Sequence, residues 1–122
     1  PDFTDWGFSP DQKAALVRDG RLLEDNPYGP DPTLTTYGFW QSGEAFRLLD
    51  APIALDCPVR LLHGQADSDV PYRISLAIAE RLRSAQVVTT LIKDGDHRLS
   101  RPLDIFELLT TVADLFAILD PC

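Results

Sequence analysis

The segment from residue 57 to residue 101 constrains the fold of this chain more than any other part. Two apolar, partly β-branched runs, residues 59–63 and 87–92, lie on either side of a stretch with helical periodicity at 72–83. A strand–helix–strand unit of this length predicts two parallel strands joined by a right-handed crossover. The sequence therefore predicts an α/β fold.

Polar residues whose side chains could act in catalysis follow both predicted strands. Asp67 comes shortly after the first strand and His97 after the second, 30 residues later. Because the carboxyl ends of parallel strands meet at one edge of a sheet, we expect the two side chains to lie close together. A carboxylate on one imidazole nitrogen fixes the tautomer that a general base needs. Asp69 is the alternative acid, whereas His63, on the strand itself, is predicted to be structural.

The elements before this unit are shorter and interrupted. Ser9-Pro10 provides a hydroxyl N-cap and a first-turn proline, which predicts a helix over residues 10–19 that ends at Gly20. Repeated prolines predict a loop over 21–35, with at most a short strand or turn at Leu22-Leu23. Residues 37–49 are predicted to be helical, although two internal glycines weaken that helix.

Composition changes near residue 51, which predicts a division into residues 1–50 and 51–122. The second part is expected to end in an amphipathic helix from about residue 102 to 119, which stops before Pro121. The first part is rich in aromatic residues, and two interpretations stay open: a lid over an apolar pocket, or a simple cover for the sheet. The aromatic residues considered for a lid are Trp6, Phe39, Trp40 and Phe46.

Charge and cysteine content narrow the classes of function. The net charge is −8 without a basic cluster, which argues against nucleic acid and anionic membrane surfaces as partners. No apolar run approaches the roughly 20 residues of a membrane-spanning helix. Cys57 and Cys122 have neither metal-binding nor redox spacing, so we expect reduced thiols and a cytoplasmic location. No metal or cofactor is expected.

Two loop motifs resemble those of the α/β-hydrolases. Residues 61–71, Leu-Leu-His-Gly-Gln-Ala-Asp-Ser-Asp-Val-Pro, resemble the family's acid-bearing loop, and residues 94–98, Asp-Gly-Asp-His-Arg, resemble its histidine loop. The resemblance covers nearly the whole chain. It implies the C-terminal portion of that fold: the end of a preceding strand at residues 1–5, a cap-like segment at 6–50, and the last two parallel strands with flanking helices. It also implies that Asp67 and His97 are the acid and the base of a triad.

The branch with the greatest similarity contains palmitoyl-protein thioesterases and acyl-glucuronide esterases. The chain differs from the family pattern in one major respect: it has no G-x-S-x-G nucleophile motif. Gln41-Ser42-Gly43 lacks the first glycine of that motif. We therefore expect a piece of a longer serine hydrolase that cleaves carboxylic esters or thioesters. Its nucleophile would come from an upstream hydrolase segment or a second chain, and this chain alone would be inactive.

Three other interpretations remain open. An upstream aspartate in place of serine would make the same Asp/His pair part of a dehalogenase. A non-catalytic module would use its open sheet edge to pair with another chain. A small doubly wound binding domain of another family would be indifferent to replacement of His97.

Overall fold

The computed structural model describes residues 7–119, so the expectations for Trp6, for the strand exit at residues 1–5 and for the helix stop at Pro121 lie outside the described residues. The chain forms two compact units, Pro1–Asp50 and Ala51–Cys122. Each unit is described by itself below. No helix within residues 7–119 has the length and apolar character needed to cross a membrane.

The first unit contains a capped helix followed by a hairpin. Helix α1 (Pro10–Asp19) has the predicted bounds, because Ser9 and Gln12 form a reciprocal capping box and Gly20 takes the left-handed conformation with φ of 72°. Strand β1 (Arg21–Glu24) then pairs antiparallel with strand β2 (Thr33–Thr36). The loop predicted over this region is therefore too long.

The second helix of this unit is shorter than predicted. Helix α2 (Tyr37–Glu44) begins after the Thr36 cap, whose hydroxyl accepts from the backbone N–H of Phe39. It ends five residues before the predicted limit of 49, directly after its second glycine, Gly43. Glycine in a helix costs about 1 kcal/mol relative to alanine, which favours an early end.

The second unit has the predicted strand–helix–strand order. Strand β3 (Val59–Gly64) and strand β4 (Val87–Ile92) pair in parallel, with Val59 opposite Val87 and Gly64 opposite Ile92. Helix α3 (Arg73–Arg81) makes the crossover and packs on both strands. This arrangement places the chain after Gly64 and the chain after Ile92 at one edge of the sheet.

Helix α4 (Pro102–Leu119) ends the described chain, and most of its apolar side chains are exposed. Leu103 is 80% exposed, Phe106 67% and Phe116 66%. The residues turned inward are instead Asp104, Glu107, Thr111 and Leu115. The apolar residues that produce the predicted amphipathic pattern of this helix are therefore exposed in the described part of the chain. A helix that is apolar over most of its circumference suits a position covered on several sides.

Candidate active site

The loops after β3 and β4 lie against each other through their backbones. The N–H of Gln65 donates to the carbonyl of Ile92 at 2.8 Å, and the N–H of Ala66 donates to that of Gly95 at 3.0 Å. At the point of closest approach neither chain has a side chain. A Cβ added to Gly64 would overlap the Gly95 carbonyl and lie 2.6 Å from the carbonyl oxygen of Asp96. Glycine at position 64 therefore sets how closely the two loops approach.

Asp67 is held within its own loop by the backbone. Its Oδ1 accepts from the N–H groups of Asp69 and Val70, both at 2.8 Å, which closes a turn around the carboxylate. The side chain is only 6% exposed. Burial raises the pKa of Asp67, but the hydrogen bonds from Val70, His97 and Asp69 outweigh it, so the pKa lies below the ordinary value. Asp67 is thus a fixed carboxylate at neutral pH.

His97 meets the second oxygen of the same carboxylate. Its Nδ1 lies 3.0 Å from Asp67 Oδ2, and its ring is 49% exposed. Since a carboxylate only accepts, Nδ1 carries the proton, and Nε2 of the neutral ring has a free lone pair. The hydrogen bond from Nδ1 to Asp67 raises the pKa of His97, with further support from the charges of Asp67 and Asp69. Burial is the second-largest influence and lowers the pKa of His97, as the charge of Arg98 does more weakly, but the net shift is upward.

Asp69, the alternative acid, takes a different position. Its Oδ2 lies 4.0 Å from His97 Nε2, the nitrogen opposite the one that Asp67 meets. A carboxylate there does not fix the tautomer that leaves Nε2 free to accept a proton. The geometry favours Asp67 as the partner of Nδ1.

The histidine loop is shaped by Asp96. Its Oδ1 accepts from the N–H groups of Arg98 at 3.1 Å and Leu99 at 2.9 Å. Leu99 has a φ of 44°, in the left-handed region that non-glycine residues seldom occupy. These bonds turn the chain sharply just after His97.

A charge cluster that sequence reasoning missed anchors the far end of this loop. The Arg101 guanidinium contacts Asp94 at 2.7 Å and Asp104 at 2.8 Å. Asp104 also accepts from the Arg101 N–H, which caps α4, and its side chain is 1% exposed. The hydrogen bond from Arg101 holds the pKa of Asp104 below its ordinary value. The signal available in the sequence was an acid at the third position of the predicted helix.

A small cavity of about 210 Å³ opens at the paired loops. Its lining residues are Leu62, His63, Gly64, Asp67, Val70, Asp96, His97 and Leu99. Ligand atoms of Asp67, Asp69 and His97 lie within 4.8 Å of one another, as in many metal sites. The hydrogen bond between Asp67 and His97, together with the turn that bonds the Asp69 N–H to Asp67, accounts for this grouping, so we assign no metal to it.

The aromatic residues considered for a lid belong to the first unit. Phe39 is 65% exposed and Phe46 70%, while Trp40 is half-buried beside Tyr37, with ring centroids 5.7 Å apart. Trp6 is outside the described residues. A lid role for these side chains stays a prediction.

Comparison with known proteins finds similarity to hydrolases. No family model matches the chain. The mitochondrial palmitoyl-protein thioesterase ABHD10 of Mus musculus is 46% identical over 79 residues, which are 65% of this chain and 27% of that protein. This chain therefore spans about a quarter of the length of the curated relatives it matches.

Two solved structures match almost the whole chain. A protein of Agrobacterium vitis S4 described as a hydrolase is 38% identical, with a TM-score of 0.82, over 94% of this chain and 46% of its own. Alpha/beta hydrolase domain-containing protein 10 from mouse is 34% identical, also with a TM-score of 0.82, over 93% and 46%.

The expected cytoplasmic location is wrong. The curated relatives from mouse, orangutan and human are all named as mitochondrial proteins. Cys57 is a free thiol in the structure, and Cys122 lies outside the described residues. Free thiols argue only against an oxidising compartment and do not distinguish among reducing ones.

Proposed function

Because this chain has the fold of a C-terminal portion of an α/β-hydrolase, we propose that it supplies the acid and the base of a serine hydrolase triad. In this proposal His97 is the general base and Asp67 orients it. The substrate is a carboxylic ester or a thioester. The serine comes from a segment that this sequence does not contain.

The hydrogen bond between His97 Nδ1 and Asp67 Oδ2, at 3.0 Å, is the observation that carries this proposal. The acid is almost fully buried and bonded by two backbone N–H groups, whereas the imidazole is half exposed. A triad needs this asymmetry, because the acid must stay in place while the opposite nitrogen of the base reaches a nucleophile.

The reaction would follow from these positions. His97 Nε2 takes the proton of the serine hydroxyl as its oxygen bonds to the substrate carbonyl carbon, and then gives that proton to the departing alkoxide or thiolate. A water molecule next repeats the attack on the acyl-enzyme and releases the carboxylic acid. Asp67 stabilises the imidazolium that forms in both halves.

The name of the curated relatives suggests the class of acyl group. Since they are palmitoyl-protein thioesterases, we propose a long apolar acyl chain on the substrate of this protein. The exposed aromatic rings of Phe39 and Phe46 give the first unit apolar surface of the kind that such a chain would contact.

Uncovered surface supports the proposal of a further hydrolase segment or a second chain. Among the described residues, β3 and β4 pair only with each other, so each strand has an open edge. The exposed apolar side chains of α4 also lack a cover. An N-terminal hydrolase segment would close the edge of β3 and bring the serine and the oxyanion hole to His97.

The same open edges favour a second candidate, a non-catalytic module that pairs with another chain. The two candidates differ in their dependence on His97. Association through a sheet edge needs main-chain groups and not an imidazole, so His97→Ala would leave association unchanged.

The proposal is tested by labelling the natural protein, with every segment that accompanies this chain, with a fluorophosphonate. We expect one adduct, located by peptide mass spectrometry on a serine outside these 122 residues. Adduct on a serine of this chain would overturn the assignment of an external nucleophile. Absence of any adduct, in protein shown to be folded, would favour the non-catalytic module.

The labelling rate should depend on the protonation of His97. The hydrogen bond to Asp67 raises the pKa of His97 above its ordinary 6.5, so the ring stays protonated to a higher pH than a free histidine. A protonated ring cannot accept the serine proton. The rate should therefore fall on acidification with a midpoint above pH 6.5, measured as second-order labelling rates between pH 5 and pH 9. A midpoint at or below 6.5 would contradict the pairing.

A further inference from the structure

A second histidine, outside the proposed triad, contacts the loop that carries Asp67. His63 is the penultimate residue of β3, and its side chain is 11% exposed. Its Nδ1 lies 2.7 Å from the hydroxyl of Ser75, which is itself buried in α3. Its Nε2 lies 2.9 Å from the carbonyl oxygen of Val70 and 3.3 Å from Asp67 Oδ2.

These partners define the tautomer of His63. A carbonyl oxygen can only accept, so Nε2 carries the proton, and Nδ1 then accepts from the Ser75 hydroxyl. Both ring nitrogens thus have a hydrogen-bond partner. Its N–H points at the residues that open and close the turn of the acid loop, Asp67 and Val70.

Both histidines thus lie close to the same oxygen of the Asp67 carboxylate. His63 Nε2 lies 3.3 Å from Asp67 Oδ2, and His97 Nδ1 lies 3.0 Å from the same oxygen. The Val70 N–H meanwhile bonds the other carboxylate oxygen. The His63 ring therefore donates to the Val70 carbonyl and lies beside the Asp67 carboxylate, at the two ends of the turn that presents Asp67 to His97. A side chain that only filled volume here would need no N–H.

We infer that His63, oriented by Ser75, is a positioning residue that holds the Asp67 carboxylate in register with His97. The inference rests on the proposed function for its catalytic meaning, but its geometry concerns only Asp67, Val70, Ser75 and the two histidines. Without the His63 N–H, the Val70 carbonyl loses its partner, and the turn no longer holds Oδ2 at Nδ1 of His97.

The test compares two substitutions at position 63 in the natural protein. Glutamine places an N–H near the position of the histidine Nε2, whereas leucine fills a similar volume without a donor. The pKa of His97 is measured by NMR titration of its ring Cε1–H, assigned by its loss in His97→Asn. The charged groups facing His97 are Asp67, Asp69 and Arg98, and neither substitution changes them.

We expect His63→Leu to lower the pKa of His97, because the ring loses its fixed carboxylate, and His63→Gln to preserve it. In turnover assays His63→Leu should lower kcat by about 10- to 100-fold with little change in KM, since a misplaced acid impairs the chemical step more than binding. A folded His63→Leu protein with an unchanged or raised His97 pKa would overturn the inference.

If His63→Leu does not fold, Ser75→Ala decides the matter. It removes the hydroxyl that fixes the His63 tautomer and should lower the His97 pKa in the same direction; an unchanged pKa in that variant would overturn the inference. The titration needs no turnover. A lowered His97 pKa in a protein without hydrolase activity would therefore refute the proposed function and leave the positioning role intact.

Discussion

Replacement of Asp67 by asparagine is expected to lower kcat of the natural protein by about 10⁴-fold. Asparagine can keep the turn, because its side-chain carbonyl oxygen still accepts from the N–H groups of Asp69 and Val70. Its NH₂ group then faces His97 and donates to Nδ1. The proton of the neutral ring moves to Nε2, and that nitrogen can no longer accept a proton from serine.

A matched control exists on the same unit. Asp56 is also ion-paired, with Arg83, but it lies just before β3 and therefore near the opposite edge of the sheet. Asp56→Asn makes the same chemical change away from the paired loops and should leave kcat within about twofold of the natural value. Comparison of the two variants separates loss of the acid from a general loss of negative charge.

Asp69→Asn decides between the two acids that the sequence left open. Asp69 faces Nε2 of His97 at 4.0 Å and helps to raise the pKa of that ring. Its loss should move the acidic limb of the pH–rate profile to lower pH while kcat stays within about tenfold. If Asp69→Asn instead caused the large loss and Asp67→Asn did not, the acid would be Asp69.

The pairing of Asp67 with His97 could be predicted because it depends on topology. Two apolar runs with a helix between them leave few arrangements, and parallel strands bring their carboxyl ends together whatever the details of packing. Helix α1 could be predicted for a different reason, since both of its ends are specified by local residues at Ser9 and Gly20.

The other features of the fold and the site depend on contacts between separate segments, which the hydrophobic periodicity of the sequence does not predict. The Arg101 cluster joins Asp94 to Asp104 across a loop, and the bonds of His63 join three segments of chain. Helix α4 carries apolar residues on most of its circumference, so its sequence does not specify which side faces the sheet. In the hairpin, the prolines at positions 27, 30 and 32 favoured a loop prediction. The four-residue strand that begins directly after Pro32 was therefore not predicted.

Replacement of Gly64 by alanine is expected to destabilise the protein by about 2–3 kcal/mol, as an overpacked interior does. The new methyl group would overlap backbone atoms of Gly95 and lie 2.6 Å from the Asp96 carbonyl oxygen, and backbone cannot swing aside as a flexible side chain can. The loops must separate, which moves Asp67 away from His97. We therefore also expect a loss in kcat of about 100-fold, the usual result of a misplacement near 1 Å.

Two other glycines test whether the close approach of the loops, and not glycine itself, is responsible. At Gly38, in α2, an added Cβ has nothing within 4 Å, so Gly38→Ala should be neutral or stabilise the protein by up to about 1 kcal/mol. At Gly95 the nearest atom is the flexible end of Leu99, at 2.6 Å, and the Gly64 Cα follows at 3.0 Å. Gly95→Ala should therefore lower the urea-unfolding midpoint less than Gly64→Ala does. The reverse order would mean that the histidine loop, and not the strand end at Gly64, limits how closely the acid and the base approach.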